Sequence, residues 1–98
     1  MSSQIEVLNP ATGLAIGTVN NASISDCLQA VDMANDAFVP WKNTAPRVRA
    51  EILRKAFDIM IAEQEELART ITREMGKVLS DARAEVAYAA EFFRWFSE

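Results

Sequence analysis

The stretch KVLSDARAEVAYAAEFFRWFSE, residues 77–98, decides the fold of this chain. Its apolar residues recur every three or four positions, which is the spacing of one helix face. This first row comprises Leu79, Ala82, Val86, Ala89, Phe93 and Phe96. A second row, Tyr88, Phe92 and Trp95, lies about 100° further round the helix. Because a helix that buries two faces needs two partners, we expect this helix to lie between other elements of a larger protein.

The end of this helix carries no termination signal. No Gly, Asn or Pro follows its last apolar residue, although helices commonly stop at such residues. We therefore expect the 98 residues to be the opening section of a longer chain. The second row would leave roughly 500 Å² of aromatic surface uncovered, about as much as the largest apolar patch on a typical monomer. A free chain of this sequence should therefore self-associate.

Three further helices are predicted upstream. Ser23 with Asp26 approximates a capping box, so a helix is expected to begin after Ser23. Pro40 is expected to end that helix. Thr44 is the predicted N-cap of the next helix, with Pro46 in its first turn. The four helices are expected near residues 24–38, 46–62, 64–75 and 78–98.

A break is expected around Glu63. One helix over residues 46–75 would be about 45 Å long, whereas a compact domain of this size has a radius of gyration of about 13 Å. Acidic residues at 63–66 also suit the first turn of a new helix. Gly76 is the predicted stop of that helix, because glycine accepts the left-handed conformation at a helix end.

The first twenty residues predict a β-hairpin. The run Asn9-Pro10-Ala11-Thr12-Gly13 has turn chemistry, with Pro10 fixing φ and Gly13 free to take positive φ. Short β-prone runs flank it, so strands are expected near residues 4–8 and 14–19. The predicted fold class is mainly α with an N-terminal β-hairpin, an α+β arrangement that forms one partial domain over residues 1–98.

The composition excludes several function classes. The net charge is −4 with no His, which argues against a nucleic-acid partner because such binding needs a basic face. No apolar run approaches the length of a membrane span, and no secretory signal is visible at the N-terminus. The single Cys cannot form an internal disulfide, which fits a reducing compartment. We expect a cytoplasmic protein without a membrane partner.

The sequence predicts no catalytic, cofactor-binding or metal-ligating residue in these 98 positions. Cys27 lies on an apolar helix face with no His in the chain to activate it, so we expect a packed core thiol. Gly13, Gly17 and Gly76 are far apart and none opens a helix after a strand, so a phosphate-cradling loop is not expected. The carboxylates, Asp81 and Glu85 included, lie on predicted helix surfaces without His or Cys beside them.

Several short motifs follow one another along the chain with ordinary spacing. They are Asn9-Pro10-Ala11-Thr12-Gly13, Ile16-Gly17-Thr18-Val19, Ala37-Phe38 with Trp41, Arg47 with Ile52-Leu53-Arg54-Lys55, Glu66-Leu67-Ala68, Glu74-Met75-Gly76-Lys77 and Glu85-Val86. Taken in this order, the set resembles the N-terminal segment of the NAD(P)-dependent aldehyde dehydrogenase superfamily. The ending Tyr88–Glu98 is most similar to the succinate-semialdehyde dehydrogenase branch.

The resemblance implies the N-terminal part of an α/β fold whose helices pack on a cofactor-binding domain. It implies a parent enzyme that uses NAD or NADP to oxidise a small aldehyde, through a Cys nucleophile and a Glu base that lie beyond residue 98. Cys27 does not match that nucleophile. The last helix would border the substrate entrance, with Ala84, Tyr88 and Phe92 facing it. The rest of the parent enzyme is the implied partner, in a homo-oligomer.

A different class of function stays open from the residues alone. The aromatic helix could make the chain a small helical interaction module that self-associates. The missing helix stop and a hairpin without a further sheet partner weigh against this alternative, since an isolated hairpin is barely stable in water.

Overall fold

The computed structural model describes residues 3–98. Within that range, a two-stranded sheet precedes four helices. The strands are β1, Gln4–Leu8, and β2, Ala15–Asn20. The helices are α1, Ile24–Asn43; α2, Pro46–Ala62; α3, Gln64–Met75; and α4, Leu79–Ser97. The predicted mainly helical fold with an N-terminal β-hairpin is confirmed.

The hairpin is antiparallel and turns where the sequence predicts. Ile5 stands opposite Val19, and the register shifts between Val7 and Leu8. In the turn, the Asn9 carbonyl accepts a hydrogen bond of 2.7 Å from the Gly13 N–H. Gly13 has a φ of 73°, a left-handed value that glycine adopts without steric cost. The turn chemistry of residues 9–13 therefore decides the strand ends locally.

Helix α1 begins at the predicted capping box but does not end at the predicted place. The Ser23 hydroxyl accepts from the Asp26 N–H at 3.1 Å, and the Asp26 carboxylate accepts from the Ser23 N–H at 2.9 Å. The helix then continues through Pro40 to Asn43, so the predicted end at 38 is wrong. Proline removes its own N–H from the ladder and its ring crowds the carbonyl four residues back, which destabilises a helix without always ending it. The helix surface here is exposed, so water can satisfy the carbonyl that loses its partner.

Thr44 closes α1 instead of opening α2, which corrects its predicted role. Its hydroxyl donates to the Pro40 carbonyl at 2.8 Å, and its N–H donates to the Trp41 carbonyl at 3.1 Å. The N-cap of α2 is Ala45, which makes no side-chain cap, and Pro46 is the first helical residue. The predicted break falls at Glu63. Gly76 ends α3 with a φ of 80°, as its position predicts.

The core is thin because the arrangement is flat and extended. The Cα atoms span 48 × 38 × 14 Å with a radius of gyration of 17.2 Å, whereas a compact domain of this size has a radius of gyration of about 13 Å. Helix α4 packs on both α2 and α3. Within residues 3–98 the buried apolar side chains are Ala68, Ala82, Val86 and Ala90, so most apolar faces have no cover.

Three predicted burials, those of Phe93, Phe96 and Cys27, are wrong because so few apolar faces are covered. Phe96 is 70% exposed and Phe93 is 38% exposed, whereas Ala90 is fully buried. The contact row of α4 therefore follows the small residues Ala82, Val86 and Ala90 rather than the large aromatic ones, because small side chains let the three helices approach closely. Cys27 is exposed instead of packed in a core, since no residue of α1 is buried.

Candidate functional site

The candidate site is the face of α4 that points away from the other helices. Ala84, Tyr88 and Phe92 are four residues apart, so they form one row along the helix. Each lies two residues, or about 200°, from its counterpart in the buried row of Ala82, Val86 and Ala90. All three are exposed, Tyr88 to 69% and Phe92 to 50%. The row predicted from the sequence is therefore brought together on one open face.

Two members of this row contact each other directly. The rings of Tyr88 and Phe92 lie edge to face at 90°, with their centroids 5.1 Å apart. This is a favoured arrangement of aromatic pairs, because the positive edge of one ring meets the negative face of the other. The contact holds both rings on the outer face of α4, where they form one wall.

The wall continues into an open groove of about 340 Å³. Tyr88 and Phe92 line it together with three residues that were not predicted for the site, Glu91, Trp95 and Phe96. Phe96 was expected in the buried first row. It also lies four residues after Phe92, and this spacing puts it on the same helix face as Phe92. A second groove, of about 350 Å³, begins beside it between Leu53 of α2 and the rings of Phe92, Phe93 and Phe96.

Charges near the groove are paired. The Arg94 guanidinium donates hydrogen bonds of 2.9 and 2.6 Å to the Glu91 carboxylate and one of 2.9 Å to the Glu98 carboxylate. These hydrogen bonds, chiefly those to Glu91, raise the pKa of Arg94 above its ordinary value. The groove therefore offers apolar contact along most of its wall.

Polar links join α3 and its following turn to the first half of α4. Arg83 donates from Nε and Nη2 to the two carboxylate oxygens of Glu65, each at 2.8 Å. The Gln64 side-chain amide donates to the Arg83 carbonyl at 2.9 Å. Lys77, in the turn between the helices, pairs with Glu85. On α4, Arg83 and Glu85 lie five and three residues before Tyr88.

Among residues 3–98 no group of three or more His, Cys, Asp or Glu side chains could hold a metal ion. Gly13 lies in the hairpin turn, Gly17 in β2 and Gly76 at the end of α3. The described residues therefore do not fit a dinucleotide, which needs a glycine-rich turn leading into a helix. No helix in the described part of the chain is long and apolar enough to cross a membrane.

Comparison with known proteins gives a family match over the whole chain. The sequence profile of the aldehyde dehydrogenase family matches residues 1–98. The succinate-semialdehyde dehydrogenase of Paenarthrobacter nicotinovorans is 53% identical over 83 residues, which cover 85% of this chain and 18% of that protein. The glutarate-semialdehyde dehydrogenase of Pseudomonas putida is 43% identical over 94 residues, which cover 96% of this chain and 20% of that protein.

Solved structures agree with the sequence matches. The NADP-dependent enzyme of Escherichia coli superposes with a TM-score of 0.93 at 40% identity, covering 97% of this chain and 20% of that structure. The structure of PnpE in complex with nicotinamide adenine dinucleotide gives a TM-score of 0.89 at 30% identity, again covering 97% of this chain and 20% of that one. The chain thus spans about a fifth of the length of the proteins it matches.

Proposed function

Because this chain belongs to the aldehyde dehydrogenase family, we propose that it is the N-terminal part of an NAD(P)-dependent enzyme that oxidises succinate semialdehyde to the acid. The observation that carries the proposal is the identity of 53% with a succinate-semialdehyde dehydrogenase. The similar identity to a glutarate-semialdehyde dehydrogenase supports the same substrate class, an aldehyde that carries a carboxylate at its other end.

The rest of the parent enzyme is the proposed partner of this chain. Helix α1 is exposed along its whole length, with Ile24, Leu28 and Val31 each more than half accessible. The outer face of α4 is equally uncovered. Burial of such surface is favourable by about 25 cal/mol per Å², so both faces favour further chain packed against them. We place residues 1–98 as one partial domain within the cofactor-binding region of the parent.

The catalytic and cofactor-binding groups of the parent are proposed to lie outside these residues. Neither a nucleophile with its base nor a fitting dinucleotide loop is present among residues 3–98, so we assign the catalytic and cofactor-binding groups of the parent to its other segments. NAD or NADP would supply the hydride acceptor there. The chain by itself should be inactive. Assembly of the parent into a homo-oligomer and its location in the cytoplasm stay predictions.

The contribution of this chain to the reaction is the wall of the substrate entrance. Ala84, Tyr88 and Phe92 form one exposed row on α4, and the rings of the two aromatic residues contact each other edge to face. An apolar wall of this kind guides the carbon chain of an aldehyde by contact and excludes water from it. We assign these three residues to the entrance and no step of the chemistry to them.

The proposal is tested on the full-length product of the gene that encodes this chain. Reduction of NAD⁺ and of NADP⁺ is followed with succinate semialdehyde, glutarate semialdehyde and an aldehyde without a carboxylate. We expect the highest kcat/KM with succinate semialdehyde, and no reduction by residues 1–98 alone. A full-length protein that oxidises none of the three aldehydes would overturn the assignment, and activity in the short chain would overturn its proposed inactivity.

A second candidate function is favoured by the exposure of the α4 aromatic residues. Trp95 is 68% exposed beside Tyr88 and Phe92, and such a patch favours a small interaction module that self-associates through α4. Sedimentation of residues 1–98 distinguishes the two functions. The wild-type chain is compared with two double variants, Tyr88→Ser/Trp95→Ser on α4 and Ile24→Ser/Leu28→Ser on α1. A single dimer with cooperative unfolding that is lost in the α4 variant and kept in the α1 variant supports the module. Heterogeneous association of the wild type and both variants supports the partial domain.

A further inference from the structure

We propose that Arg83 is a positioning residue, which through Glu65 sets the rotation of α4 and hence the direction of the row Ala84, Tyr88 and Phe92. This inference rests on the proposed function of that row as a wall of the substrate entrance. It assigns to Arg83 an effect on aldehyde binding without contact to the aldehyde.

The geometry points to Arg83 because two of its groups, the guanidinium and the backbone carbonyl, make hydrogen bonds to α3. Its guanidinium places two parallel hydrogen bonds of 2.8 Å on the Glu65 carboxylate. Its own carbonyl accepts the Gln64 side-chain amide at 2.9 Å. A forked pair of this kind fixes the relative orientation of the two groups as well as their distance. The two hydrogen bonds of the Arg83 side chain and the one to its carbonyl therefore act on the same turn of α4.

The carboxylate that receives this fork also accepts a hydrogen bond from its own helix. Arg69, one helical turn further along α3, donates to Glu65 Oε1 at 3.3 Å. This single bond is longer than the two of 2.8 Å from Arg83, and both of its partners belong to α3. Arg83, in contrast, is the partner that carries the link across to α4.

Short side chains form the centre of the apolar contact between the two helices. Ala68 of α3 faces Ala82 and Val86 of α4, and the partly buried Leu67, Ile71 and Leu79 pack against them. The forked pair adds a directional constraint on the rotation of α4 to this non-directional packing. Rotation of α4 by one residue would turn its faces by about 100°. Because Arg83 directly precedes Ala84, the fork acts close to the beginning of the entrance row.

The role inferred is orientation rather than stability. The side chains of Arg83 and Glu65 are 46% and 45% exposed, and an exposed ion pair contributes little to the free energy of folding. Variants at Arg83 should therefore fold, and their effects can be read as changes in the position of the row.

The test uses the full-length enzyme in three forms: wild type, Arg83→Gln and Arg69→Gln. The Arg69 variant is the matched control, because it also loses a hydrogen bond to Glu65 but one that lies within α3. We expect Arg83→Gln to raise the KM for succinate semialdehyde by about fivefold, with kcat and the KM for NAD(P)⁺ unchanged. Arg83→Lys, which keeps the charge without the fork, should fall between, and Arg69→Gln should match wild type.

A structural readout keeps the inference separate from the proposed function. Fluorotyrosine incorporated only at position 88 reports the surroundings of that ring by ¹⁹F NMR, whatever the activity. Arg83→Gln should shift or broaden the ¹⁹F signal, and Arg69→Gln should leave the signal unchanged. The exchanged pair Glu65→Arg/Arg83→Glu should bring the signal back towards its wild-type position. An unmoved signal in Arg83→Gln, or an equal rise of both KM values, overturns the positioning role. A wild-type enzyme without aldehyde oxidation overturns the proposed function alone.

Discussion

The guanidinium of Arg83 and the carboxylate of Glu65 meet through two hydrogen bonds of 2.8 Å, across 18 positions of sequence. They join α3 to α4 at the edge of the small core. The hydrogen bonds from Arg83, assisted by Arg69, lower the pKa of Glu65 from 4.5 to about 2 despite some desolvation. The pair therefore stays ionised in acid that protonates ordinary carboxyl groups.

The depressed pKa predicts how this pair contributes to stability as pH changes. A carboxyl group whose folded-state pKa is lowered stabilises the protein above its unfolded pKa, and this contribution is lost as pH falls through the folded value. The difference in unfolding free energy between wild type and Arg83→Gln should be constant at neutral pH and shrink as pH falls from 4.5 to about 2. Denaturant unfolding across that range measures it, and a difference that grows in acid would contradict the assignment.

The buried and exposed faces of α4 predict opposite responses to the same substitution. Ala82 is fully buried, so Ala82→Leu should lower the free energy of unfolding by about 1–3 kcal/mol through overpacking. Ala84, two residues on, is exposed, and Ala84→Leu should change it by less than about 0.5 kcal/mol. Urea unfolding of both variants makes the comparison. Equal losses would mean that Ala84 is covered.

The α3–α4 turn predicts a glycine requirement at position 76. Gly76 has a φ of 80°, and a Cβ there would lie 3.1 Å from Pro10 Cγ. Gly76→Ala should therefore cost about 1–2 kcal/mol of stability from the left-handed conformation, with a further loss where the hairpin turn must move. Gly13→Ala is the control, since Gly13 has a φ of 73° but open space around it. A smaller loss at position 76 than at 13 would exclude the Pro10 contact as a cost.

The capping box predicts a local effect on α1. Ser23→Ala removes the acceptor for the Asp26 N–H and should cost about 1 kcal/mol of helix stability. Because α1 packs so little on the other elements, we expect faster amide exchange in its first turns and unchanged exchange around Ala68 and Val86. Exchange that rises equally in α1 and in the core would show that the two unfold together.

Prediction from the sequence was strongest where the deciding contacts span few residues. The capping box at Ser23 and the glycine stop at Gly76 each depend on neighbours within one helical turn. The exposed row of Tyr88, Phe92 and Trp95 also followed from helical periodicity alone. Pro40 was misleading, because a proline removes one donor and crowds one carbonyl, and an exposed helix can continue past it when water reaches the freed carbonyl.

The amino-acid order by itself determined where strands, helices and turns begin, since capping, turn chemistry and periodicity act between near neighbours. Only the tertiary structure decided which residues complete the buried row of α4 and what holds the helix there. The small residues Ala82 and Ala90 form the buried contact instead of Phe96, because helices pack closest where side chains are short. The partners of that contact, Ala68 and Glu65 on α3, lie many positions upstream, and no local pattern specifies a pairing over such a distance.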